Sequence, residues 1–107
     1  MKPFEVYVTY VSWDGINGKN RPVLAFILSE CTVDVYQITT KYANKSEAIR
    51  ANFFKIDDWT ACELTSESYI DIGTIMTLPI QVLKNKAPLG QLTENDKLRF
   101  LAFLNKD

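Results

Sequence analysis

The sequence contains no histidine at all. That excludes Ser-His-Asp and Cys-His catalytic arrangements and any metal site built on imidazole. It has only two cysteines, Cys31 and Cys62, too far apart for a C-x-x-C redox or zinc pair. They are expected to be small buried apolar side chains in a reducing compartment. Glycine and proline number four each, so neither a low-complexity tract nor a linker is present. There is no P-loop and no G-x-G-x-x-G. The longest strictly apolar run, Val23 to Leu28, is far too short for a membrane span. The N-terminus moves into an alternating pattern rather than the apolar stretch of a signal peptide, so a cytoplasmic protein is expected. Charge is balanced at −1, which excludes a protein that coats nucleic acid through a global basic field. It leaves open an enzyme that grips a few phosphates in one groove.

What is present is a chain of 107 residues, 47% hydrophobic, enough for one domain with a real core. We expect a single domain over residues 1–107. Residues 4–13, FEVYVTYVSW, alternate as a strand with one face buried, Val6, Val8 and Tyr10 against Glu5, Tyr7 and Thr9. Residues 14–20, DGINGKN, read as a flexible loop. Arg21-Pro22 opens a second strand, VLAFIL, whose continuous apolar run predicts a central strand covered on both faces. A turn at 29–32 leads to a third strand, 33–40. Residues 41–50 are polar and read as a long loop before a fourth strand near 51–56. Asp57-Asp58-Trp59 looks like a capped helical turn. A fifth strand is expected over 69–77, where Gly73 marks a bulge or bend, and a helical turn over 80–83. The last segment predicts a helix capped by Thr93, with Leu98, Leu101 and Leu104, joined by Phe100, as its apolar stripe. The sum is an α+β, mostly β fold: a small barrel of about five antiparallel strands with a C-terminal packing helix.

Candidate chemistry gathers where the glycine-containing loop meets the second strand: Gly15, Gly18, Lys19, Arg21, Pro22. The third strand ends in Thr39-Thr40-Lys41. An arginine fork can hold a phosphate, and threonine hydroxyls can hold or orient a second phosphate oxygen. That set suits cleavage of RNA by its own 2′-hydroxyl, in which the protein positions groups and stabilises charge. Lys19 and Lys41 flank the pair and can follow the backbone. Trp13 and Tyr42 are candidates for stacking an unpaired base.

The order of these features resembles the MazF/PemK toxin family. The resemblance runs from about Phe4 to Leu104: the first loop, Arg-Pro-Val-Leu, Ile38-Thr39-Thr40, the stretch Tyr69 to Pro79, and Pro88-Leu89-Gly90-Gln91-Leu92-Thr93 before the last helix. It implies an SH3-like barrel, usually a homodimer, that cleaves single-stranded RNA without metal or cofactor as the toxin of a toxin–antitoxin pair. It implies that Arg21 is the catalytic arginine and that Thr39 closes the third strand at the site, with Thr40 supporting. Two positions depart from the family: the first loop lacks the His-Glu often found there, and Met76 stands where many members have arginine. Two other readings stay open. One is a non-catalytic SH3-like interaction domain displaying Tyr7, Tyr10, Trp13, Tyr36 and Trp59. The other is a gyrase-poisoning toxin of related fold.

Overall fold

The computed structural model describes residues 1–12 and 15–105. Its chain order is β1 (Glu5–Ser12), β2 (Gly18–Leu28), β3 (Thr32–Thr39), α1 (Glu47–Arg50), β4 (Phe53–Lys55), a 3₁₀ turn (Trp59–Cys62), β5 (Tyr69–Pro79), α2 (Gln81–Lys84), β6 (Gly90–Gln91) and α3 (Glu94–Leu104). The strands form one antiparallel sheet, ordered β4-β5-β3-β2-β1-β6, that curls into a half-barrel. The expected mostly β barrel with a C-terminal helix is therefore the fold, with six strands.

The sheet is buried on both faces. One core holds Val6, Leu24, Tyr36, Ile38, Ile70 and Phe100, under α3. The other holds Tyr7, Val11, Val23, Ala25, Val35 and Leu83, under α2. Alternate residues of each strand feed opposite cores, as the pleat requires. This is why β2 reads as an unbroken apolar run: Val23, Leu24 and Ala25 are all fully buried. Burial also pushes the Cys62 thiol up to about 11, with Asp96 and Asp58 adding to the effect. Cys31, expected to be buried, is exposed instead.

Two bulges shape the curl. The β2–β3 register skips Phe26, between Ala25↔Val35 and Ile27↔Asp34. The β3–β5 register jumps from Tyr36↔Ile75 to Gln37↔Asp71, so residues 72–74 have no partner on β3. Gly73 lies in this bulge, where the sequence put a bend.

Several local expectations are corrected. The first loop ends before Gly18, because Gly18, Lys19 and Asn20 already pair with Ser12, Val11 and Tyr10 in the β1–β2 ladder. Gly18 makes that approach possible: a Cβ there would lie 2.3 Å from the Val11 carbonyl oxygen and 2.8 Å from the Tyr10 ring. Arg21 and Pro22 thus stand inside β2, opposite Thr9 and Val8, not at its start. In β1 the expected buried face holds only at Val6: Val8 and Tyr10 are exposed, while Tyr7, Thr9 and Val11 on the other face are covered. Leu83 of α2 belongs to the core on that second face, and single-strand alternation cannot show what lies opposite. Thr40 falls outside β3, and the expected loop 41–50 contains the turn of helix α1. β4 is shorter than expected, β5 runs on to Pro79, and β6 was not foreseen. In α3 the inward residues are Asp96, Phe100, Phe103 and Leu104, whereas Leu98 and Leu101 point outward. Phe100 and Leu104 of the expected stripe thus face the core and Leu98 and Leu101 do not, because the carboxylate of Asp96, not an apolar side chain, occupies the buried first turn.

Candidate functional site

The cross-strand register carries a row of side chains to one end of the sheet. Thr9 pairs with Arg21, Val23 with Gln37, and Gln37 with Asp71, which in turn pairs with Phe53. Two residues beyond Val23 and Gln37 on their strands come Arg21 and Thr39, on the same face by the two-residue period. Pro22 lacks an N–H, and the β2–β3 pairing begins only past it, at Val23↔Gln37. The two strands therefore part at the level of Arg21 and Thr39. A groove opens between them.

Two cavities are built on this end of the sheet. One, of about 300 Å³, is lined by Val11, Arg21, Gln37, Thr39, Lys41, Lys45, Phe53 and Asp71. The other, of about 240 Å³, is lined by Lys19, Asn20, Arg21, Pro22, Thr39, Thr40, Lys41 and Ser68, with Ile38 behind them. Arg21, Thr39 and Lys41 belong to both. Arg21, Lys41 and Lys45 line the first cavity with one carboxylate, Asp71, and Lys19 joins Arg21 and Lys41 in the second, which has no carboxylate. In a chain of net charge −1 this is a strong local excess of positive charge. Among the described residues, none of these four cations forms an ion pair or a side-chain hydrogen bond. The ion pairs present lie elsewhere, at Lys55–Glu67, Lys97–Glu94 and around Arg99. A guanidinium left without a protein partner inside a groove is available to an anion from solvent.

Thr39 is preset. The Lys41 backbone N–H donates to its Oγ1 at 3.1 Å. This turn at the strand end fixes the hydroxyl and uses it as an acceptor, so its proton is left to donate outward. Asp71 is held in a similar way, its Oδ1 accepting from the Gly73 amide at 2.8 Å. The hairpin that carries Arg21 is stapled by Ser12, whose Oγ accepts from Gly15 N at 2.9 Å and donates to the Asn17 carbonyl at 2.8 Å.

The residues picked out from the sequence fall into three groups. Arg21, Thr39, Lys41, Lys19 and Thr40 meet in the groove. Tyr42 lines neither cavity; it stacks on Tyr69 with centroids 4.4 Å apart and 7° between planes, beside Phe53. Trp13 lies outside the described residues. Gln37, Lys45 and Asp71 were missed. Gln37 had a signal, since it precedes Thr39 by two and shares its face. Asp71 reaches the groove through the bulge register, and Lys45 through the 41–46 loop, neither of which a linear pattern reveals. Among the described residues, the aromatics of the interaction-domain reading do not form one exposed surface. Tyr7 and Tyr36 are core residues and Trp59 packs against the core, leaving Tyr10 exposed.

Among the described residues no group of three or more Cys, Asp or Glu side chains could hold a metal ion. No helix among them is long and apolar enough to cross a membrane. Compared with protein-family models and with curated proteins, the chain matches none.

Proposed function

We propose that this chain is an RNA-cutting toxin of the MazF/PemK type, a metal-independent endoribonuclease acting on single strands. One observation carries the reading: Arg21 and Thr39, picked out from the sequence for phosphodiester chemistry, share one groove with Lys41, and no described protein group neutralises Arg21.

In this mechanism the substrate's 2′-oxygen attacks the adjacent phosphorus and the bond to the 5′-oxygen breaks. The products are a 2′,3′-cyclic phosphate and a 5′-hydroxyl. The Arg21 fork binds the non-bridging oxygens, where negative charge grows in the transition state; one such donor contributes about 3–4 kcal/mol. A guanidinium keeps its proton at neutral pH, so stabilisation needs no proton loss. The Thr39 hydroxyl donates to a second phosphate oxygen. Asp71, the carboxylate of the groove, accepts the 2′-hydroxyl proton, and the leaving 5′-oxygen takes a proton from water. Lys19, Lys41 and Lys45 hold flanking phosphates. Thr40 supports the strand end.

Such an enzyme would act on cytoplasmic mRNA, usually as a homodimer. A cognate antitoxin would silence it by laying an acidic segment over the same cations in place of phosphate. The test is to incubate the protein with end-labelled single-stranded RNA in excess EDTA and to analyse the product ends. Cutting with cyclic-phosphate ends is expected. Intact RNA, or cutting that appears only after a divalent cation is added, would contradict the reading.

A further inference from the structure

A third cavity, of about 360 Å³, lies beside the groove and is lined by Tyr42, Glu47, Arg50 and Ala51. We infer that it is a subsite for a guanine base; the choice of a nucleobase rests on the nuclease reading. Glu47 and Arg50 stand three residues apart on the single turn of α1, so they project from the same side. Neither forms an ion pair with the other or with any described residue. The hydrogen bonding of Arg50 is incomplete within the chain: its Nε is buried and has no partner. A carboxylate and a guanidinium that line one cavity without an ion pair suit a ligand that carries both acceptors and donors.

The cavity is joined to the groove by an aromatic wall. The Arg50 guanidinium carbon lies 5.5 Å from the centre of the Tyr42 ring, which is stacked on Tyr69. Tyr69 pairs with Thr39 across the sheet. Phe53, 6.2 Å from Tyr42, lines the groove itself. A strand whose phosphate sits on Arg21 and Lys41 can therefore lay a neighbouring base at Tyr42, the residue after Lys41.

The bases differ in what they offer there. Guanine presents two adjacent acceptors, O6 and N7, that match an arginine fork. It also presents two adjacent donors, N1–H and the N2 amine, that match a carboxylate. Adenine sets an amino group next to N7, against the fork, and pyrimidines have no N7. Unpaired bases in a single strand expose both edges.

The test uses guanosine 5′-monophosphate and adenosine 5′-monophosphate as probes on the full chain, followed by amide NMR shifts. The guanine nucleotide should bind at least about fivefold more tightly, with the largest shifts at Tyr42, Glu47 and Arg50. Glu47→Gln and Arg50→Lys should each bring the ratio below about twofold. Equal affinities, no binding of either probe, or an unchanged ratio in both variants would overturn the inference. The wild-type ratio and shift map decide the matter if either variant fails to fold. Mononucleotide binding requires no cleavage. A chain that prefers the guanine nucleotide but cuts no RNA keeps this subsite and loses the nuclease reading. One that cuts RNA without that preference loses the subsite alone.

Discussion

Asp96→Ala should weaken the fold heavily while leaving the groove intact. The Asp96 side chain is fully buried in the first turn of α3. Its Oδ2 accepts from the Asp58 amide at 3.0 Å, and its Oδ1 accepts from Arg99 at 2.7 Å and, at a long 3.4 Å, from the Asp57 amide. One carboxylate thus ties the last helix to a turn 38 residues earlier. Alanine removes all three bonds. The Arg99 part is discounted, because that guanidinium is 38% exposed and keeps Asp57 at 3.3 Å and the Phe54 ring at 4.9 Å. The two amides are part-buried and lose a charged acceptor; together with the lost packing this is worth about 2–4 kcal/mol. For a chain of this size the melting temperature should fall by roughly 10–20 °C. Calorimetry reads the shift, and RNA cleavage per folded molecule should not change, since Asp96 lines neither groove cavity. A fall of less than about 3 °C would refute the claim that this buried carboxylate holds α3 in place.

Other expectations follow from the same contacts. The Tyr7 phenol is pushed up to about 12, first by burial, then by its 3.0 Å hydrogen bond to Glu5 and the Glu5 charge. A raised folded value means its stabilisation is whole below pH 10.0 and is lost as pH rises toward 12. Urea midpoints should show this alkaline loss in the native chain and less of it in Tyr7→Phe; identical alkaline profiles would contradict it. Thr39→Val keeps the strand-favouring shape but removes the hydroxyl, so cleavage should drop roughly 10- to 100-fold. Thr39→Ser should keep most of the activity, and steady-state rates on labelled RNA separate the two.

Much of the barrel was legible in the sequence because strand alternation, the unbroken apolar run of β2, the Thr93 cap and the Gly73 bend are local signals. What was not legible depends on partners far along the chain. The buried face of β1 is set by α2, which lies more than seventy residues away. The inward face of α3 turns on Asp96, whose partners at 57 and 58 no helical period can show. Arg21 and Thr39 could be named as a pair from residue chemistry and family order. Their meeting depends on the β2–β3 register and on Pro22 ending it. Asp71 and Lys45 enter the groove only through the bulge and the loop.

The most direct measurement compares kcat/KM of the native chain and Arg21→Ala on a labelled single-stranded RNA, with melting curves alongside. Arg21 forms no ion pair among the described residues, so the variant should melt within about 2 °C of the native chain. Cleavage should fall by about 10²- to 10³-fold. Equal melting with activity within about threefold of native would show that the guanidinium in the groove does not carry the reaction.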